Sequence, residues 1–404
     1  MALMIREYNL FNKILSLLIR GGELMTLLSI VGDDISRIVP LLYTYKDQIK
    51  QHILLCDDDP SNYARAKTLQ NGMQKFSARH TLGWYTKIIS TNEDSAEDIK
   101  GVAKEQFTDA GELWLNATDG YPAITILLSD LVRKEGGKIL SYDHFDNDLH
   151  IIDSDGHMTT EKLAGKIDVE SYLTLLDYSI VSKTTPKQLA SRKTHIMELY
   201  KKESLFKKVR RALVEACHNR PNDFDLSMSG DMLRTLEHLG IVDGKYNLIP
   251  SQEKAIQGDL YEEYTFWLCE ALHPDDILMG VIIDFDDEKN EPINQYRVTN
   301  EFDILMMHNN RIYTVECKFS KQLDGLEFVY KYDAIIDYFG KASKAIIANI
   351  SSKSKEPYLD TKSSSNFRHS TLRRARLAGV SVYHESQMNV IKFQNLVRNF
   401  FHIN

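Results

Sequence analysis

From Met25 onward the chain alternates short apolar runs with longer amphipathic stretches. Thr26–Val31, His52–Cys56, Tyr85–Ser90, Leu113–Asn116 and Gly137–Tyr142 are each of strand length and bounded by polar turns. The stretches between them predict helices over 35–49, 61–78 and 93–107, and another that starts near Pro122. Apolar strands separated by helices predict a parallel sheet covered on both faces, with ligands beyond the carboxyl ends of the strands. A small hairpin is predicted over 147–160 and a helix over 168–178, and the polar stretch 181–193, which contains Pro186, predicts a linker. Helices over 195–219 and Ser229–Leu239 precede short strands at Ile241–Asp243 and Tyr246–Ile249. That order suits an interdomain connector or a winged-helix-like module.

A second α/β pattern begins near Ser251. It predicts helix 253–271, strands 278–284, 301–307 and 311–319, helix 325–339, strand 344–350, helix 366–378, strand 380–384 and helix 388–400, with a serine-rich surface loop over 351–367. The expected division is a helical extension over 1–24, an α/β domain over 25–180, a linker and connector over 181–250 and a second α/β domain over 251–404. Ile5, Leu10, Ile14 and Leu18 would share one face of the extension, and Met25 is an alternative start. Its apolar run, Leu17-Leu18-Ile19, is too short to span a bilayer.

Composition sets the class. The 404 residues are 43% hydrophobic and 26% charged, enough apolar material for more than one core. A net charge of -8 argues against a wholly basic nucleic-acid binder, although a local basic surface remains compatible with it. Cys56, Cys217, Cys269 and Cys317 form no CxxC pair, which argues against a zinc ribbon and a disulfide scaffold. A cytoplasmic protein without membrane association is expected.

The second domain carries the sharpest chemistry. Asn309-Asn310 suits a hairpin turn between two alternating strands. Glu316 and Lys318, two apart, share one face, while Val315 and Cys317 share the other. The hairpin can set Asp303 alongside Glu316. A Glu-x-Lys pattern alone is usually a solvated face or a salt bridge. Asp303 and the upstream Gly258-Asp259-Leu260-Tyr261-Glu262-Glu263 make it a candidate catalytic set of Glu262, Asp303, Glu316 and Lys318. Glu263 lies about a hundred degrees further round the helix and fits less well. Phosphodiester hydrolysis needs a water nucleophile, neutralisation of the phosphate and help for the leaving oxygen. Glu262, Asp303, Glu316 and the Cys317 carbonyl are the candidate ligands for Mg²⁺ or Mn²⁺, and Lys318 is suited to steadying developing charge. In the first domain, the loop holding Ser29, Gly32, Asp33 and Asp34 and the loop Asn116, Ala117, Thr118, Asp119, Gly120 both follow strands. Their amides and small side chains suit a phosphate or a nucleobase.

The stretches GDLYEEY at 258–264, NEFDIL at 300–305 and YTVECKFSK at 313–321 resemble the PD-(D/E)XK restriction-endonuclease-like superfamily, over most of 251–402. The whole chain resembles the CRISPR-associated nucleases that join a Rossmann-like CARF domain to such a nuclease. The resemblance places the acidic pair and lysine on Asp303, Glu316 and Lys318, and the helix glycine and glutamate on Gly258 and Glu262. Glu301 sits beside them, and Tyr330 and Lys331 fall at the start of the following helix. The family's NxTGGTK loop corresponds to Asn116–Pro122, with Asp119 in place of its first glycine and Pro122 in place of its lysine. The resemblance implies a homodimer that binds cyclic tetra-adenylate, or cyclic hexa-adenylate, across its two-fold axis. It also implies a type III CRISPR effector cutting DNA or RNA, single strands favoured. A ligand-sensing transcription regulator built on the winged-helix-like segment, with Arg234 as its clear basic candidate, is the alternative. A constitutive restriction nuclease is another, and it leaves the first domain unexplained.

Overall fold

The computed structural model describes residues 25–92, 94–107, 111–220, 223–285, 299–320, 329–330, 338–351, 373–385 and 387–401. The expected extension over 1–24 lies outside them, as do most of the expected 325–339 helix and the 351–367 loop. Contacts divide the chain into two units. One runs to Lys166 and takes in Thr174–Asp177; the other holds Ile167–Leu173 and Tyr178–Asn404.

The first unit is built on strands β1 (Met25–Ile30), β2 (Ile49–Asp57), β3 (Tyr85–Thr91), β4 (Glu112–Asn116), β5 (Lys138–Asp143), β6 (Asp148–Ile152) and β7 (Met158–Lys162). They form one sheet in the order β3-β2-β1-β4-β5-β6-β7. Strands β1 to β5 pair in parallel, and β6 and β7 extend the sheet as an antiparallel hairpin. Every residue of β1 is buried, which is why its sequence shows a run rather than an alternation. Helices Pro60–His80 and Pro122–Lys134 each open on proline, where the missing N–H costs nothing, and Asp59 caps the former through Ser61. Leu28, Ile30, Ile53, Leu55, Leu115, Ile124 and Leu128 share one apolar core. The expected 35–49 helix is shorter than predicted, ending at Thr44, because Ile49 is already paired with Met25. β1 has β2 on one side and β4 on the other, so chain direction along the sheet reverses there. That switch point opens a crevice at the carboxyl ends, and the pairing of Ser29 with Asn116 brings both predicted ligand loops to it.

The second unit holds β8 (Ser179–Thr184), β9 (Asp276–Asp284), β10 (Thr299–His308), β11 (Arg311–Ser320), β12 (Lys344–Ser351) and β13 (Val380–Glu385), in the order β13-β12-β11-β10-β9-β8. The linker expected from 181 is corrected at its start. Ser179–Thr184 pairs antiparallel with β9 as an edge strand, and polar residues suit such an edge because one side of it faces water. A short helix at Pro186–Leu189 with a capping box follows. The connector helices Lys193–Lys201, Glu203–Cys217 and Gly230–His238 place Ile196, Leu199, Phe206, Leu213 and Leu236 in the same apolar cluster as Tyr261, Phe266 and Phe393. The Tyr200 and Tyr264 rings stack there at 4.1 Å between centroids. The connector is therefore part of the second unit's core, and its expected wing is reduced to one bridge, Val242 to Leu248. Among the described residues, no helix is long and apolar enough to cross a membrane.

One close approach gives a direct test of the first unit's packing. A Cβ on Gly72 would lie 2.2 Å from the Leu175 carbonyl oxygen, so only glycine lets that helix pass. Gly72→Ala is expected to destabilise the protein by about 1–3 kcal/mol in urea unfolding. An unchanged midpoint would show that the helix can shift freely.

Candidate active site and ligand loops

The hairpin between β10 and β11 forms as its turn chemistry requires. Asn309 and Asn310 both take positive φ, 49° and 59°, the conformation of a tight two-residue turn. Pairing then runs from His308 with Arg311 down to Ile304 with Val315. Asp303 is the next residue, and it is also skipped by the β9 ladder, which passes from Phe302–Val281 to Ile304–Met279. Between those two β9 residues stands Gly280 at φ 57°, a left-handed kink that a strand tolerates best at glycine. Released from both ladders, Asp303 accepts the Cys317 backbone N–H on its carboxylate at 2.6 Å.

This arrangement brings the predicted set together. Asp303 and Glu316 are 8% and 3% exposed. Burial, and then the Glu316 charge, push the Asp303 carboxyl up to about 7. Glu262, on helix Leu260–Glu270, is pushed up to about 8 by burial and next by Asp303. The Lys318 ammonium lies 2.5 Å from Glu316 Oε1. Burial pulls its pKa down, but Glu316 and Asp303 reverse this and leave it raised, so Lys318 stays charged. Gly258 lies in a π turn, Ala255–Asp259, that runs into the Glu262 helix; such turns recur at functional sites.

Neighbouring residues separate cleanly from this set. Glu263 is buried and pairs with Arg192 Nε at 3.0 Å, a structural role that its angular position anticipates. Glu301 is exposed, and its charge reaches Asp303 only weakly. The Cys317 thiol is buried and held well above its ordinary pKa by that burial, which leaves its carbonyl as the only useful donor. Tyr330 is half-exposed, with the Arg374 guanidinium 5.8 Å from its ring centroid; Lys331 lies outside the described residues.

The donor set suits a hard divalent cation. It offers carboxylate oxygens whose pKa values are raised first by burial and then by neighbouring carboxylates, and a cation would offset both. Among the described residues, no three His, Cys, Asp or Glu side chains already stand grouped closely enough to hold an ion by themselves.

The ligand loops of the first unit are held by a buried polar chain. Asn116 Nδ2 donates to Ser29 Oγ at 3.2 Å, while Asn116 Oδ1 accepts the Thr118 N–H at 3.1 Å. Ser29 Oγ lies 2.8 Å from His52 Nε2, and His52 Nδ1 lies 3.0 Å from the Met73 sulfur. Ser29 Oγ and the two ring nitrogens of His52 thus form one continuous buried polar chain with Asn116 and Met73. Complete burial pulls the His52 pKa down to about 3, which keeps the ring neutral. Thr118 Oγ1 accepts the Tyr142 N–H at 3.0 Å and ties the β4 loop to β5. Asp119 Oδ2 accepts from Gly32 N at 3.0 Å and Asp34 N at 3.2 Å, joining the two loops. The Ala117 N–H is engaged by the Leu140 carbonyl. Asp33 does not join this cluster; its exposed carboxylate faces Arg65 at 3.5 Å.

Sequence reading missed His52 and the group formed by Asp57, Asn62 and Tyr121. Asn62 Nδ2 lies 2.9 Å from each Asp57 oxygen and from the Tyr121 hydroxyl. The available signal was a lone histidine at the head of the apolar run Ile53-Leu54-Leu55.

Solved structures match the chain over nearly its whole length, among them the following two. Protein VC1899 from Vibrio cholerae aligns with a TM-score of 0.69 at 14% identity, covering 93% of this chain and 98% of that one. Can2 from Sulfobacillus thermosulfidooxidans, solved in complex with cyclic tetra-adenylate, aligns with a TM-score of 0.63 at 14% identity, covering 93% and 96%. No protein-family model and no curated protein matches the chain. At this identity the likeness shows the fold, a mixed α/β architecture with two multistranded sheets.

The raised carboxyls give a pH signature. A group whose folded pKa exceeds its unfolded value holds protons that unfolding releases. Its stabilising effect is present below the unfolded pKa and is lost as pH rises towards the folded values, here about 7 for Asp303 and about 8 for Glu262. Asp303→Asn keeps an acceptor for the Cys317 N–H and removes the charge. It should be more stable than the original protein near pH ~8, by on the order of 1–3 kcal/mol, and gain nothing near pH ~4. Mg²⁺ or Mn²⁺ should raise the melting temperature of the original protein and not of the variant. Equal melting of both proteins at each pH would remove the case for a charge-strained centre.

Proposed function

We propose that this chain is a cyclic-oligoadenylate-activated, metal-dependent nuclease of type III CRISPR defence. In this reading a CARF unit senses the ring and a PD-(D/E)XK centre hydrolyses phosphodiester bonds in DNA or RNA, single strands favoured. The observation that carries it is the convergence of Glu262, Asp303, Glu316 and Lys318 at a point where the sheet's ladders lapse. The fold shared with Can2, a protein solved with cyclic tetra-adenylate, supports the sensing half. Cyclic hexa-adenylate is the second candidate ring. A ring with two-fold symmetry suits a homodimer, and a cytoplasmic location follows from this role.

Asp303 and Glu316, with Glu262 and the Cys317 carbonyl, would hold Mg²⁺ or Mn²⁺, which supplies Lewis acidity to the scissile phosphate. The chain's own residues do the rest. Asp303 is held in place by the Cys317 N–H. Lys318 remains an ammonium, so it acts as a fixed charge beside the phosphate and not as a base. Glu316 positions that ammonium through its 2.5 Å contact. The reading as a transcription regulator gains no support: Arg234, its basic candidate, is paired with Asp231, and the connector's apolar faces are buried.

The test is cleavage of labelled single- and double-stranded DNA and RNA with Mn²⁺ or Mg²⁺, with and without cyclic tetra- and hexa-adenylate. Cutting is expected only with ring and metal together. Glu316→Ala and Lys318→Ala should each lower it by at least about a hundredfold while ring binding is kept. Full cleavage by either variant would refute the site, and ring-independent cutting would refute the activation.

A further inference from the structure

We infer that Asp119 is a built-in anion that keeps phosphate out of the β1 loop and so decides which face of a ring nucleotide that loop can meet; this rests on the ring being the ligand of the first unit. The Gly32 and Asp34 N–H groups converge on one point, the arrangement by which short backbone turns bind anions. That point is already filled. Asp119 Oδ2 sits 3.0 Å from Gly32 N and 3.2 Å from Asp34 N. The neighbouring amides are engaged as well, Ala117 N with the Leu140 carbonyl at 2.8 Å and Thr118 N with Asn116 Oδ1 at 3.1 Å.

The carboxylate is locked in place by shape. Gly120 takes φ 106°, and a Cβ there would lie 2.2 Å from Ile30 Cγ2. A Cβ on Gly32 would lie 2.7 Å from Gly120 N and 3.0 Å from Asp119 Oδ2. The two loops therefore touch through glycine backbones, and Asp119 is enclosed between them, only 9% exposed. Arg37 stands 4.0 Å from Asp119 Oδ1 and supplies partial counter-charge. Burial raises the Asp119 pKa against the pull of the Asp34, Gly120 and Gly32 amides, as expected of a carboxylate enclosed by the fold. A ligand phosphate aimed at the same amides would meet this carboxylate at contact distance in a partly dry site, where like charges repel strongly. The β1 loop is thus left to meet ribose hydroxyls and bases, with phosphates seated elsewhere on the ligand surface.

The experiment compares the full-length protein with Asp119→Asn, which keeps an acceptor of the same shape and removes the charge. Calorimetric titration with cyclic tetra-adenylate at low salt should show the variant binding roughly tenfold more tightly, a gain that shrinks as salt is raised. Adenosine, which carries no phosphate, should bind both proteins alike. Unchanged or weaker ring binding by the variant overturns the inference, as does an equal change for adenosine. Should neither protein bind the ring, the proposed activator fails instead, and pyrophosphate then judges Asp119 alone: equal affinity in both proteins overturns the inference. Asp119→Ser, shorter and neutral, should show the same gain for pyrophosphate, and it serves in place of Asp119→Asn if that variant does not fold.

Discussion

Asp303 and Glu316 bring two carboxyl groups into a site from which most water is excluded, and the local structure of the second unit turns on how they are held there. Burial raises the cost of each charge, and proximity raises it again. The sheet holds the pair because its hydrogen bonding lapses at that point. Gly280 kinks β9, Asp303 drops out of both ladders, and its carboxylate takes over the Cys317 N–H. Lys318 answers one of the two charges directly. Burial and the neighbouring Glu316 leave the Asp303 carboxyl raised to about 7 even so. The lapse in the sheet is what frees the Asp303 carboxylate to take the Cys317 N–H.

The first unit handles charge in the opposite manner. Its crevice at the β1–β4 switch point is closed by internal partners. Asp119 satisfies the β1-loop amides, Asn116 satisfies Thr118, and a neutral His52 beneath them fixes the orientation of Ser29. With the Gly32, Asp34, Ala117 and Thr118 amides engaged, these loops keep few of their backbone donors for anything outside. The two units thus show two uses of buried carboxylates. In one, burial and a neighbouring carboxylate set two acids against each other, and in the other a carboxylate is consumed in joining two loops.

The helical connector illustrates why a module cannot be judged by its order of elements. Its helices have strongly amphipathic sequences, and that pattern is equally consistent with a free DNA-reading domain and with a packed buttress. Tyr200 stacked on Tyr264, and Ile196, Phe206 and Leu236 in the core that also holds Tyr261, decide for the buttress. Those contacts also bear on Glu262, because Tyr261 and Tyr264 flank Glu262 and Glu263 on one helix. The connector helps to set where Glu262 stands.

Local pattern carried much of this molecule. Apolar runs placed the strands, and Asn309-Asn310 placed the hairpin, because positive φ at two successive residues has few sequence solutions. Period-two alternation put Glu316 and Lys318 on one face, and the angular spacing of a helix separated Glu262 from Glu263. Each of those inferences spans only a few residues, where backbone sterics leave little choice. Tertiary structure decided what depends on residues far apart in the chain. It placed Ser179–Thr184 as an edge strand because β9, nearly a hundred residues later, needed a partner. It turned Asp119 towards Gly32 and Asp34, eighty-seven and eighty-five positions away, where the sequence showed only a departure from a loop pattern. It also paired His52 with Ser29 in a dry core, where a histidine's protonation is set by its surroundings and not by its neighbours in the chain.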